Sequence, residues 1–297
     1  MLQIVSDMMS MSVEDYREQL KEWREDNSRH SDEIVSFWED GLEGCLDQLG
    51  DEKWMVLEQV AVASMDMNRA DILHRCLITL IEKFGASSLR IRRLQAMRLE
   101  MEEKWDDALE VLDAIIEEDV SNSSARKRKI AIWKAQGETD RAVRELVKYL
   151  AVFMSDQEAW LELSELYLSE QDYGKASYCV EELLLHNPHN HLYHQRLAEI
   201  RYTMGGYDNL DLAKQYYCQA VKLAPSNMRA LQGLLLTVTQ LATSPKCPQT
   251  KKKELCNLAL WSNKQIKSRY ASVGQDAATE DKIALLKTMM SDLDIRE

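Results

Sequence analysis

Nine cations crowd two neighbouring stretches of the chain: Arg90, Arg92, Arg93 and Arg98, then Arg126, Lys127, Arg128, Lys129 and Lys134. Three- and four-residue spacing on a helix aligns such groups on one face, where charge-assisted hydrogen bonds would grip an acidic peptide. Arg90, Arg93, Lys127 and Lys134 form the set expected to line a binding groove. Glu158, Leu161, Glu165, Glu199 and Tyr202 occupy comparable places further on, so the groove is expected to change sign along its length. A second reading pairs the cations internally with Glu117, Glu118 and Asp119, leaving a neutral surface in which each exposed pair contributes about 0–1 kcal/mol. Lipid headgroups or RNA are a third.

His186, His189, His191 and His194 lie in HNPHNHLYH, a density of imidazoles that could hold zinc or nickel. A structural site wants a fixed tetrahedron, however, and these residues span a helix end, a proline turn and the next helix start. Inter-repeat turn chemistry is the better reading. The seven tryptophans raise the prospect of stacking, but Trp133 and Trp160 recur at equivalent places and are expected in the core. The sequence has no G-x-S-x-G, G-x-x-x-x-G-K-[ST], G-x-G-x-x-G or H-E-x-x-H. With no catalytic, cofactor or metal residue to nominate, a non-enzymatic protein is expected.

The elements that must carry these groups are helices. Ten Gly and four Pro in 297 residues leave too few turn-formers for a sandwich or barrel of many short strands, so the expected class is all-α. A hydrophobic fraction of 45% is enough for one large or two ordinary cores. Fifty acidic against 37 basic residues give a net charge of −13, which repels phosphates and disfavours a general nucleic-acid binder. The six cysteines contain no C-x-x-C and are expected as buried or free thiols in a reducing compartment. The opening MLQIVSDMMSM lacks a basic leader, so a secretory signal is not expected. The longest apolar stretch, Ala230 to Ala242, is broken by Gln232, Thr237, Thr239 and Gln240 and falls short of the roughly 20 residues of a bilayer span. Any membrane association is expected through a partner or a surface.

Small residues recur about every 34 positions, at Ala108, Ala142, Ala176 and, three residues late, Ala213. That period is the tetratricopeptide repeat's, and residues 157–190 resemble one unit, with Trp160, Leu163, Ser164, Tyr167, Ala176, Val180, Leu183 and Pro188 at matching offsets. The alanine sits where paired helices approach closest, and the proline closes the second helix. The frame gives units near 54–87, 89–122, 123–156, 157–190, 191–227 and 228–270. Gly205 and Gly206 are expected to widen the fifth unit's turn by three residues, and Ser244 to Pro248 to break the sixth hairpin. Leu73, Gln95 and Lys129 replace the usual small or core residues, so the helices carrying Gln95 and Lys129 are expected to rotate. A capping box at Ser12 and Asp15 opens one flanking helix, and Ile34, Val35, Trp38, Leu42 and Leu46 mark a second. Residues 1–53 are expected to cap one end of a single α-α superhelical solenoid. Residues 271–297, with Ile283, Leu286, Met289, Met290 and Leu293, are expected to cap the other.

Four stretches carry a more specific likeness: KEWREDNSRHSDEIV, ARKRKIAIWKAQG, DQEAWLELSELYLSEQDYGKASYCVEELLLHNPHNHLY and RYTMGGYDNLDLAKQYYCQAVKL. Together they resemble the subunit 2 family of the endoplasmic reticulum membrane protein complex, collinearly from about Val13 onward. The resemblance implies a cytosolic scaffold of an insertase for tail-anchored and multi-pass proteins. It implies a peripheral protein on the cytoplasmic face of the endoplasmic reticulum membrane, reaching the membrane only through partners. It also implies a hetero-oligomer, with the repeats holding cytosolic segments of membrane-embedded subunits and another soluble subunit. The chain departs from the family in its first eleven residues, at Leu73 with His74, and before Lys251. Two alternatives stand beside it: a free co-chaperone that captures peptide termini, and a helical-repeat subunit of a transferase. Ala131 and Met97 stand where a carboxylate clamp wants asparagines, which argues against the first.

Overall fold

The computed structural model describes residues 12–273, and every regular element among them is helical. Helix α1 (Val13–Glu25) opens on the expected capping box: Ser12 Oγ accepts from Asp15 N–H at 3.2 Å, and Asp15 accepts from Ser12 N–H at 2.8 Å. Helix α2 (Ser31–Phe37) carries Ile34 and Val35 inward, but it does not run on to Leu46 as one helix. It passes into a π turn over Trp38–Leu42, a helical turn at Glu43–Cys45 and a 3-10 stretch over Leu46–Glu52. The cause is backbone: Gly41 (φ 131) and Gly50 (φ 57) leave the helical region, bending the chain so that Trp38, Leu42 and Leu49 still face the core.

Twelve helices follow: α3 (Lys53–Asp66), α4 (Ala70–Phe84), α5 (Leu89–Met101), α6 (Trp105–Glu118), α7 (Ser123–Ala135), α8 (Thr139–Val152), α9 (Gln157–Ser169), α10 (Tyr173–His186), α11 (His191–Met204), α12 (Tyr207–Leu223), α13 (Met228–Thr243) and α14 (Gln249–Val273). Odd-numbered members are the first helices of the repeats and even-numbered members the second. The chain divides into two compact units between Ala142 and Val143. In the first unit, α1 and α2 share one apolar cluster with α3, α4 and α5, through Leu20, Ile34, Trp38, Leu57, Ile72 and Leu94. In the second, Leu210, Tyr217, Leu234, Val238 and Ile266 join α12, α13 and α14. The expected closing helix at 271–297 and the methionine-rich start lie outside the described residues, apart from the end of α14 at Val273.

Two backbone devices repeat with the helices. Side-chain oxygens of Asn122, Asp156, Asn190 and Asn227 accept backbone N–H groups at 3.0–3.1 Å and cap α7, α9, α11 and α13. Left-handed residues stand in the hairpin turns at Asn68 (φ 54), Glu103 (φ 57), Gly137 (φ 75) and Gln171 (φ 59). The fifth hairpin differs. Gly205 (φ 72, ψ −176) and Gly206 (φ 81, ψ 153) take conformations that are essentially restricted to glycine, and α12 begins at once at Tyr207. The extra residues therefore lengthen α12 to 17, against 14 in α10, rather than widening the turn.

The rotation expected of α5 and α7 is not seen in the burial pattern: Ile91, Ala125 and Ala159 stand at equivalent places in α5, α7 and α9 and are all buried, as are Ala96, Ile130 and Ser164, while Gln95 and Lys129 are half-buried where α9 buries Leu163. The tryptophans correct the core expectation, because only Trp38 is buried. Trp160 is half-buried and donates Nε1–H to the Met154 carbonyl at 2.8 Å. Trp133, also half-buried, lies under the Arg141 guanidinium, 4.8 Å from the ring centroid. An indole at these positions keeps one edge polar and wet, which its amphipathic ring tolerates well. Cys76 and Cys179 are fully packed; burial pushes both thiols up to about 12, so they act as small apolar fillers. Ser164 holds the small position in α9 and donates Oγ–H to the Ala176 carbonyl of α10 at 3.3 Å.

Replacing Ala176 by leucine should overpack this contact and lower stability by about 1–3 kcal/mol. Gln171→Gly should raise it by up to about 1 kcal/mol, by removing the left-handed penalty of a side chain. Urea denaturation followed by circular dichroism checks both, and a neutral Ala176→Leu would mean that the repeat register is misplaced.

Candidate functional site

In α5 the burial of Ile91 and Leu94 turns Arg90 and Arg93, on the adjoining stripe, toward the preceding first helix. There they meet Glu58 of α3. Arg90 reaches one carboxylate oxygen and Arg93 the other, the second at 3.0 Å, and the Glu58 side chain is only 15% exposed. Beside it, Gln59 accepts from Arg24 at 2.7 Å and donates to the Leu20 carbonyl at 3.3 Å. The step repeats from α5 to α7, where Glu100 accepts from Arg128 Nε at 2.7 Å. Lys127 is half-buried and Lys134 exposed on α7, and both are already engaged within the chain. Trp23, Arg24, Met55, Glu58, Val62 and Arg90 are among the residues around a hollow of ≈ 370 Å³ in this unit.

The second unit has its own version. Glu165 of α9 accepts from Arg196 of α11 at 3.5 Å. Glu199 of α11 accepts from Gln195 at 2.9 Å and from two nitrogens of Arg229, on α13, at 2.6 and 3.2 Å. Glu199 and Tyr202 line an opening of ≈ 370 Å³ with Arg196, Arg229, Leu168 and Leu236. Tyr217 of α12 lies beneath, with its ring against Gly233; a Cβ there would stand 2.7 Å from the phenol oxygen, so only glycine admits the ring. Burial, and then the Glu199 carboxylate, push the Tyr217 phenol up. Glu158 and Leu161 are exposed on the first turns of α9 and do not line this opening.

Thus Arg90 joins Arg93, and Glu199 joins Tyr202, whereas Glu158 and Leu161 belong to neither group. Two expectations need correction. The groove-side Arg90 and Arg93 pair with Glu58 rather than with the 117–119 acids, and Arg128 beside them pairs with Glu100, whereas Arg92 does meet Glu118. Two carboxylates of the expected acidic stretch also have cationic partners, Glu165 in Arg196 and Glu199 in Arg229. Sequence reasoning passed over Glu58, Glu100, Arg196 and Arg229. Their signal was an opposite charge about one repeat away: 35 residues for Arg93 with Glu58, 31 for Arg196 with Glu165 and 30 for Arg229 with Glu199.

His186, His191 and His194 bond within or beside the inter-repeat turn. His186 Nδ1 bonds to the Glu182 carbonyl and His194 Nε2 to the Pro188 carbonyl, each at 2.9 Å. His191 Nδ1 meets Asn227 Nδ2 at 3.1 Å, and the same Asn227 donates to Gln195 and caps α13.

Residues 68–210 match the family described as the EMC2 TPR-like repeat domain. The chain is 44% identical over 294 residues to ER membrane protein complex subunit 2-A of Xenopus laevis, covering 99% of both. It is 30% identical over 255 residues to ER membrane protein complex subunit 2 of Dictyostelium discoideum, covering 82% of this chain and 77% of that one. Among solved structures, the C-terminal part of a TPR repeat-containing protein from Cytophaga hutchinsonii aligns with a TM-score of 0.57 at 16% identity, covering 85% of this chain and 98% of that one. At that identity the likeness speaks for the fold alone.

Glu58→Gln removes the charge that two guanidiniums share and should lower stability by about 1 kcal/mol, with the loss diminishing in high salt. Melting curves of wild type and variant at low and high ionic strength provide the check.

Proposed function

The chain belongs to the subunit 2 family of the ER membrane protein complex, and from that premise we propose that it is a non-catalytic scaffold on the cytoplasmic face of the endoplasmic reticulum membrane. It supports insertion of tail-anchored and multi-pass proteins by holding cytosolic segments of membrane-embedded subunits against its repeats. The carrying observation is the end-to-end match, 44% identity over 99% of both chains. A subunit of such a complex works in a hetero-oligomer. No helix among the described residues is long and apolar enough to cross a membrane, which fits attachment through partners.

The geometry supports this reading in a specific way. Tetratricopeptide-like first helices present side chains at regular intervals, as recognition of an extended or helical segment requires. Arg90, Arg93, Lys127 and Lys134 offer cations in the first unit, while Glu199 and Tyr202 border an opening in the second. The arginines are already paired, so a partner exchanges ion pairs here rather than meeting bare charges. Such exchange favours orientation and selectivity over raw affinity.

Affinity purification of the full chain in mild detergent should recover membrane-embedded subunits. Reversing Arg93 and Lys127 to glutamate should reduce that recovery several-fold with the fold intact, judged by circular dichroism, and a Glu58→Arg change added to restore the internal pair should not rescue it. Undiminished recovery by the doubly reversed chain would remove these residues from the interface.

A further inference from the structure

Another surface of the second unit is built differently. Helices α8 and α10 flank a cavity of ≈ 570 Å³ whose floor is α9. Its walls are Val147, Leu150 and Ala151 from α8 with Met154 from the turn after it, and Tyr178 and Cys179 from α10, which share a face with Lys175, Glu182 and His186 at three- and four-residue steps. Trp160, Leu163 and Tyr167 form the floor. Val147, Tyr178 and Met154 are 46%, 55% and 65% exposed, so large apolar side chains stand open to water around the slot. The volume lies within the roughly 300–1,000 Å³ of ordinary binding sites.

The charges at its two ends differ. Trp160, on the first turn of α9, bonds to the Met154 carbonyl in the turn after α8 and packs edge-on against Tyr178, with centroids 6.2 Å apart. Tyr167, near the end of α9, lies under Lys175 at the start of α10, 5.2 Å from Nζ. Helix α10 therefore runs against α9, and its N-terminus stands at the Tyr167 end of the slot. Lys175 is there, 62% exposed and paired with Asp172, and Arg144 is exposed one turn before Val147. The positive end of the α10 dipole reinforces the Lys175 charge. Glu182 and His186 border the opposite end, beside the C-terminus of α10.

We propose that this slot is a second docking site, occupied by an amphipathic segment of a partner polypeptide whose apolar side chains fill the cavity and whose acidic side chains meet the Lys175 end. The inference rests on the complex-subunit reading. An acyl chain would satisfy the walls but gain nothing from Lys175 and Arg144. A uniformly acidic peptide would leave Val147, Met154 and Tyr178 uncovered. A segment with both properties uses every feature of the slot.

The test uses the full chain with the photo-crosslinker p-benzoylphenylalanine at position 147 or 178, assembled in cells and isolated in mild detergent. Mass spectrometry after irradiation should place both crosslinks on one segment of a co-purifying subunit, with apolar residues at helical spacing and Asp or Glu toward the Lys175 end. In parallel, Tyr178→Asp should lower recovery of that subunit about tenfold, Lys175→Glu about threefold, and Lys175→Arg should retain it. Both positions are exposed, so circular dichroism should show the fold retained. Crosslinks only to lipid, to residues 274–297 of the same chain or to a second copy would overturn the assignment, as would undiminished recovery with Tyr178→Asp. If the wild-type chain recovers membrane subunits without crosslinks at either position, the slot fails while the complex-subunit reading survives. If the wild-type chain recovers none, both fail.

Discussion

Helices of 13 or 14 residues are marginal alone in water, and here they hold their shape because a partner helix lies close enough to cover one face of each. Ala108, Ala142, Ala176 and Ala213 are completely buried at the places where that closeness matters. A methyl group in each second helix permits close approach, and a larger side chain would push the pair apart. Leu73 holds the corresponding place in α4 and is buried too, with a larger side chain inside the cluster that α1 and α2 complete. The remaining regularities serve this contact. Asparagine and aspartate caps start α7, α9, α11 and α13, and left-handed residues reverse the chain in a few positions, so these pairs are delivered in register.

A fixed repeat has an electrostatic consequence. When first helices recur at constant spacing, a carboxylate on one and a guanidinium on the next fall opposite each other, as Glu58 with Arg93, Glu165 with Arg196 and Glu199 with Arg229 do. A chain with net charge −13 thereby presents faces whose local charges are largely matched. Exposed pairs of this kind add little stability, so their contribution is to orientation: a partner must offer its own charges in the right order to exchange with them. The α8–α10 slot is complementary in character, with apolar walls and separated charges at its ends. One unit thus offers two surfaces of different chemistry.

Much of the fold was legible in the sequence because packing leaves periodic traces. The alanine period, the Ser12–Asp15 capping box and the double glycine each marked a place where only certain residue types fit. What escaped has physical reasons too. Glu103 and Gln171 sit in left-handed turns that sequence patterns assign to glycine or asparagine, so neither stood out. Gly41 bent a helix that an uninterrupted apolar pattern had suggested was continuous. Trp160 resembled a core residue because its spacing is that of the core face, yet its indole N–H needs an acceptor and holds it at the edge of a cavity. The binding-face residues were found as a charge pattern, but their partners one repeat away were not, since pairing between successive repeats requires knowing which helix faces align.

Hydrogen–deuterium exchange of the full chain, alone and within the purified membrane complex, probes the central claim most directly. The account predicts slowed exchange in the complex for amides of α5, α7, α11 and α13. Identical exchange profiles, or protection confined to segments outside the repeats, would contradict a scaffold that works through these surfaces.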